Sequence, residues 1–395
     1  MSDLRSVGSG GSVGSVGSNM TDALTDVRAW LSRFVAVTDD LDLDLLTLWC
    51  AHTHVAAECY TSPRLVLNSV MPGAGKTTTL EHLSRLCFAP IQAASISSPA
   101  LLARMLDKGM RTILIDEVDR SLDPKRPGVD ELIAILNSGY KRGATRPVLV
   151  PAKGGSWDVA EMPTFAPVAM AGNAPNLADD TRSRCIRVLL MPDFEGRIED
   201  SDWEEIEPDA DLLATVLAAA MDAARDTVRT IRPELPAGCV GRVKEKWAPL
   251  ARIAAVAGGP WPKIAAQLVA RDLTEIEIEK EEGMMRVPPA VVLLRDIYET
   301  WNQDEVFVPS TVLLSRLIAH NPDYWGLSSN YGKTLTLQRM GRMLAQSAKV
   351  HSERLGDSPR GYRRHQFEQV WRSIGTPRNR TDGTDGTART DGATA

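Results

Sequence analysis

Strand-like apolar runs alternate with helical patterns through the first half of the chain. The segments are 64–70 (RLVLNSV), 76–87, 90–97, 99–107, 111–117 (RTILIDE), 128–138, 165–173 (FAPVAMAGN) and 185–191 (CIRVLLM). Such alternation predicts a parallel sheet covered by helices, because parallel strands need crossovers and bury both faces. An acidic stretch, 195–209 (EGRIEDSDWEEIEPD), separates this core from Ala-rich helices at about 210–231 and 241–270. A second acidic boundary at 274–283 precedes a compact region of helix, helix and Gly- and Arg-rich segments, a pattern that suggests a winged helix.

Both ends differ from this pattern. Residues 6–18 repeat Ser-Val-Gly and Gly-Ser units and 381–392 repeat Thr-Asp-Gly, too poor in large side chains to repay the entropy of ordering. Met20-Thr21-Asp22 reads like a natural start. The expected organisation is a flexible tail over 1–24, a core over 25–195, a helical domain over 196–285, a basic domain over 286–375 and a second tail over 376–395.

A length of 395 residues suits one principal core with smaller domains, and a formal charge of -6 excludes a uniformly basic nucleic-acid coat. The charge is uneven, however. Residues 309–373 carry ten Lys and Arg against four Asp and Glu, or +6, within an acidic protein. Cys50, Cys59, Cys87, Cys185 and Cys239 are odd in number and form no C-x-x-C pair, which argues against a disulfide framework or zinc site. No apolar stretch reaches membrane-span length and the N-terminus lacks a signal-peptide core, so the expected location is the cytoplasm of a bacterial cell.

One segment changes the picture most. In VMPGAGKTTTL a strand runs into a Gly-rich turn and then a helix, so backbone N–H groups of Pro72-Gly73-Ala74-Gly75-Lys76-Thr77-Thr78 (proline excepted) can surround phosphate oxygens at a positive helix end. Lys76 is placed for β- and γ-phosphates, and the Thr77 hydroxyl for Mg²⁺. The general pattern has glycine five positions before Gly75, where this chain has Val70. The strand TILIDEVD then ends in Asp116 and Glu117, 40 residues after Lys76 (116 minus 76). Asp116 would hold the Mg²⁺ shell and Glu117 would polarise an attacking water. An Asn in a turn is an ordinary feature, but Asn173, following Lys76 and Asp116 in order, would contact the γ-phosphate or that water. Arg182, Arg184 and Arg187 surround the next strand start; if copies pack head to tail, Arg184 would enter a neighbour's site.

The order Lys76-Thr77, Asp116-Glu117, Asn173, Arg184 resembles the Walker A, Walker B, sensor 1 and arginine-finger elements of AAA+ ATPases, over about 45–195. Ser183-Arg184-Cys185 looks like a motif of sliding-clamp loaders. Residues 48–55, 136–144, 247–262 and 360–371 resemble a phage and actinobacterial P-loop family of unknown function, often attached to primase modules. The resemblance implies an α/β AAA+ parallel sheet with helices on both faces, a helical lid and a winged-helix-like C-terminal domain. It further implies ATP and Mg²⁺ as ligands, a homo-oligomer, and a lid arginine (sensor 2) at the γ-phosphate. Arg242 is the candidate and Arg252 the fallback, while Trp247 and Trp261 read as lid core.

Two regions bear on use. Residues 146–162 look like two strands around Lys153-Gly154-Gly155, a hairpin that would line a ring's pore, with Lys153 gripping a phosphate backbone or simply solvated. Arg339, Arg342, Arg360, Arg363 and Arg364 in the basic region would contact DNA phosphates, or that domain would pack on the core or recruit a protein. Three uses compete: a helicase-like replication motor, a loader of a sliding clamp or other replication protein, and a nucleotide-controlled binder of a host factor. The adjacent acids argue against a small-molecule kinase, since a base that activates water is a poor phosphotransferase.

Overall fold

The computed structural model describes residues 13–93, 99–122, 129–151, 156–173, 175, 177–281, 288–327 and 334–374. It divides into two compact units, Met1–Glu277 and Ile278–Ala395. In the first unit the elements are α1 (Val13–Phe34), α2 (Leu41–Val55), β1 (Arg64–Ser69), α3 (Lys76–Leu86), β2 (Pro90–Ala93), α4 (Pro99–Asp107), β3 (Thr112–Ile115), α5 (Val118–Ser121) and α6 (Val129–Ser138). They continue with β4 (Thr145–Pro151), β5 (Trp157–Pro163), β6 (Val168–Asn173), α7 (Asp179–Arg182), β7 (Cys185–Leu189), α8 (Trp203–Thr230), α9 (Gly241–Ala257) and α10 (Trp261–Glu281), whose last turn lies past Glu277.

Five strands form a sheet in the order β2-β3-β6-β1-β7, every neighbouring pair parallel. Alternation within β1 shows why its sequence is apolar throughout: Leu65 and Leu67 join one core with α1, α2, α3, α8 and α9, while Val66 joins the other with α4 and α6. The strands expected at 64–70, 111–117, 165–173 and 185–191 appear, shortened at their ends, and β2 covers 90–93 of the expected 90–97, the rest of which lies outside the described residues. β4 and β5 pair separately as an antiparallel hairpin, in which Leu149 faces Val159 across the ladder and both are exposed. Lys153 lies outside the described residues.

Several expected boundaries shift. The N-terminal tail was expected to reach residue 24, but Met20, Ala23 and Leu24 are buried faces of α1. The second half of the acidic stretch opens α8 instead of separating domains: the Asp202 side chain accepts from Glu204 N at 3.0 Å, and Glu204 and Glu205 occupy the positive first turn. The helical region 241–270 breaks into α9 and α10 at Gly258 and Gly259, both at positive φ. Through these helices the expected core and lid share one apolar cluster, so 25–195 and 196–285 are not separate bodies. α10 runs through the second acidic segment to Glu281.

The second unit contains α11 (Pro289–Thr300), β8 (Phe307–Pro309), α12 (Ser310–His320), α13 (Pro322–Trp325), α14 (Leu337–Ala348), β9 (Gly361–Arg363) and α15 (His365–Ser373). β8 and β9 pair antiparallel, and a bridge from Glu353 to Gly361 closes the loop before β9. Trp301, Phe367 and Trp371 cluster in its core with Leu313, Leu317 and Leu344. Of the five arginines expected to meet phosphate, Arg363 pairs with Glu353 at 2.6 Å, Arg364 donates to Asn302 O at 3.2 Å and Arg360 donates to Ser352 Oγ at 3.2 Å, while Arg342 is exposed and Arg339 half-buried. No helix among the described residues is long and apolar enough to cross a membrane.

Candidate nucleotide site

β1 delivers the chain at Ser69 into the loop before α3, so the loop stands at the carboxyl end of a central strand, where parallel sheets bind ligands. Gly73 and Gly75 adopt φ of 76° and 75°, and a Cβ built at either would meet nothing within 4 Å. Left-handed backbone conformation, and not lack of room, therefore requires glycine there. Val70 has no such φ and its side chain is 68% exposed, so a β-branched residue fits where the general pattern has glycine. Ala74 is buried beneath the loop; Pro72 and Thr77 are exposed on it.

Three strands bring the remaining groups to this loop. Lys76 Nζ donates to Asn173 Oδ1 at 2.8 Å and also to Ser69 Oγ, which lies 3.1 Å from Asn173 Oδ1. Thr77 Oγ1 donates to Asp116 Oδ2 at 2.9 Å. The β1–β6 register sets Ser69 beside Asn173, and β3 lies against β6, which fixes Asp116 across the sheet. Residues 97 and 39 positions apart thus meet because parallel strands all end on the same side. Thr77 and Asp116 set two hard oxygen donors beside the loop, a donor set whose chemistry would fit Mg²⁺.

Glu117 begins α5 with φ 48° and ψ 44°, a left-handed conformation unusual for a non-glycine residue. Its amide donates to Asp116 Oδ1 at 2.8 Å, and its carboxylate pairs with Arg120 at 3.1 Å. Asp119 Oδ1 accepts from Asn173 N at 3.3 Å, tying the end of β6 to α5. Ser69, Asp119 and Arg120 escaped the sequence reading. The i, i+3 spacing of Glu117 and Arg120 was a usable signal; Ser69 had none.

The two arginines lie elsewhere. Arg64 N donates to Arg184 O at 3.1 Å, which places Arg184 at the start of β1, about 16 Å from Ser69 at ~3.3 Å per residue. Arg184 pairs with Asp180. Arg242, expected at its own chain's γ-phosphate, is also at the far end: it pairs with Glu245, whose carbonyl accepts from Thr61 Oγ1 at 2.6 Å, and its guanidinium lies 5.7 Å from the Tyr140 ring. This overturns the lid-arginine expectation for a site within one chain. Arg252 fares no better, since it lies by Cys59 and Arg142, and Arg142 N donates to Tyr60 O. Arg182 and Arg187 instead face Asp179 and Glu275. Trp247 and Trp261 are buried, as expected of core.

On the P-loop strand's other side lies a cleft of about 380 Å³, lined by Asn68, Asp39, Asp42, Arg187, Leu189 and Arg271 among others. Arg271 of α10 donates to Asp39 at 2.7 Å and also pairs with Asp42. Burial raises the Asp42 carboxyl above its ordinary value despite the opposing Arg271 charge. The sequence reading did not single out Arg271.

No curated protein matches the chain. The model of a family described as "Protein of unknown function (DUF3631)" matches residues 195–374, which include α8 to α15 and exclude the P-loop. Among solved structures, the chain is similar to the apo NrS-1 C-terminal region at 14% identity, covering 87% of this chain and 74% of that one, with a TM-score of 0.39. It is also similar to the Thermotoga maritima RuvB Holliday junction branch migration motor at 16% identity, covering 87% and 98%, with a TM-score of 0.26. The ADP form of Aeropyrum pernix ORC2 matches at 12% identity, covering 84% and 90%, with a TM-score of 0.27. These overlaps are too low to assign chemistry, so what the site can do follows from its own geometry.

Proposed function

We propose that this chain is a phage-type AAA+ ATPase of DNA replication, hydrolysing ATP in an oligomer to translocate on or remodel DNA. The observation that carries the reading is the convergence of Lys76, Thr77, Asp116 and Asn173 at one strand end, with Glu117 beside them. Gly73 to Thr78 would receive the phosphates, Lys76 would bind their charge, and Asn173 would orient the γ-phosphate or the water. Thr77 and Asp116 would hold Mg²⁺, which neutralises phosphate charge when bound. Glu117 would accept a proton as water oxygen bonds to γ-phosphorus and the bond to the ADP oxygen breaks, giving ADP and inorganic phosphate. For that step its carboxylate must exchange Arg120 for water.

Phosphate release by the full-length protein without a second substrate, lost in Lys76→Ala, is the direct test. Retained turnover in that variant would refute the assignment. Strand separation dependent on Lys76 selects the motor; DNA-stimulated turnover without unwinding, raised by a sliding clamp, selects a loader. Partner affinity that changes with ATP at negligible turnover selects a nucleotide switch.

A further inference from the structure

The second unit gathers three side chains of metal-ligand type where its first two long helices meet. Asp296 and Glu299 stand one turn apart on α11, so their i, i+3 spacing sets both carboxylates on one face. His320 is the last residue of α12, which shares the buried Leu293, Ile297, Leu313 and Leu317 with α11. One ligand atom from each of the three lies within 4.8 Å of the other two. His320 Nε2 is 2.8 Å from Glu299 Oε2, whereas bonds of about 2.1 Å to a tetrahedral zinc set neighbouring donors about 3.3 Å apart. A small adjustment of these side chains would admit an ion.

An exposed Glu–His pair alone is an ordinary surface contact. The buried member of the set is what distinguishes it. Asp296 is only 6% exposed, and its Oδ2 accepts from the Trp325 indole N–H at 2.6 Å and from Asn321 Nδ2 at 3.1 Å. Both donors are neutral. Among the described residues no hydrogen bond reaches Oδ1, and no Lys or Arg pairs with this carboxylate. Buried carboxylates are paired with a cation or bound to a metal, because desolvating an unpaired charge is costly. The two donors come from the turn that follows His320: Asn321 ends α12, and Trp325 closes α13 with its backbone N donating to Asn321 O at 2.9 Å. Outer hydrogen bonds of this kind hold a ligating carboxylate in place.

We propose that Asp296, Glu299 and His320 form a binding site for one divalent transition-metal ion, zinc by its donor chemistry, that ties the end of α12 to α11. An imidazole nitrogen with two carboxylate oxygens suits zinc, which takes both donor types, over magnesium or calcium, which take oxygen. Water completes the shell on the solvent side, where the Glu299 and His320 side chains keep 57% and 37% of their exposure. The ion offsets the buried charge of Asp296 and stiffens the turn that carries Asn321 and Trp325. No residue of the nucleotide site takes part, so the inference stands apart from the ATPase reading.

Zinc alone is the probe. Full-length, nucleotide-free protein stripped with a chelator should take up one more zinc per chain than His320→Gln, by titration followed by elemental analysis, and its melting temperature should rise on zinc addition. His320→Gln and Glu299→Gln, at exposed positions and with folding checked by metal-free melting, should each weaken that binding about tenfold or more and abolish the rise. Asn321→Ala, which removes an outer hydrogen bond, should weaken it about 10–100-fold. Cobalt(II) bound in zinc's place should show visible absorption bands that His320→Gln removes. Wild-type protein that holds no zinc after desalting would overturn the inference. So would zinc binding that is equal in wild type and His320→Gln, or that is lost in Asp116→Asn instead, which would place the ion at the P-loop.

Discussion

Lys76 Nζ donates to Asn173 Oδ1 at 2.8 Å, so the P-loop cation is already aimed at the end of the neighbouring strand. An incoming phosphate would take over that hydrogen bond and leave the Asn173 amide free to meet phosphate or water. Asn173→Ala should therefore lower kcat about a hundredfold, the usual effect of deleting one oriented donor, with nucleotide affinity changed little. Steady-state phosphate release beside equilibrium nucleotide binding checks it; an affinity loss as large as the kcat loss would contradict the role.

Glu117 departs from ordinary backbone conformation at φ 48° and is held by Arg120 at 3.1 Å. Substitution by Gln keeps size and hydrogen bonding but removes the proton acceptor. Turnover in Glu117→Gln should fall by about 10²–10⁴ while ATP binding persists, giving a complex that retains unhydrolysed nucleotide. Rapid filtration with radiolabelled ATP reads this directly, and full activity in Glu117→Gln would remove Glu117 from the reaction.

The sheet and the residues of the loop were legible because both depend on local pattern: strands buried on two faces read as continuous apolar runs, and phosphate loops need glycine at fixed positions. Arg184 was partly legible too, since a residue just before a parallel strand lies opposite the loops that follow such strands. Arg242 was not. Its position depends on where α9 docks, through Thr61 with the Glu245 carbonyl and Lys246 with Asp272 at 2.7 Å, contacts that no spacing encodes. α2 was equally opaque, because a helix buried on nearly all sides shows no amphipathic stripe.

His82 makes stability depend on pH. Its Nδ1 accepts from the Trp30 indole N–H at 3.0 Å, so the neutral ring carries its proton on Nε2 and donates to Ser201 Oγ at 3.0 Å. Burial lowers its pKa to about 4, and His52 is lowered to about 3 by the same cause. Between the ordinary 6.5 and those values the unfolded chain binds more protons, so stability falls as pH drops through that window. The melting temperature should decline from pH 7 to pH 4.5, with a shallower slope in His82→Gln. An unchanged slope would move the effect to His52 and other groups.

Tyr140 predicts an effect opposite to that of most core substitutions. Its ring is fully buried among Arg64, Arg184 and Arg242, while its buried hydroxyl has no hydrogen-bond partner among the described residues. Burial and the nearby Glu245 charge raise its pKa far above the usual value, so the phenol stays neutral. An unsatisfied buried hydroxyl costs roughly 1–3 kcal/mol of desolvation, which Tyr140→Phe removes while keeping the face that aligns the guanidiniums. Tyr140→Phe should match or exceed wild-type stability in urea, whereas Tyr140→Ala should lose about 3–5 kcal/mol by opening a cavity beneath three cations. Destabilisation of the Phe variant by more than 1 kcal/mol would mean that the hydroxyl has a partner in solution.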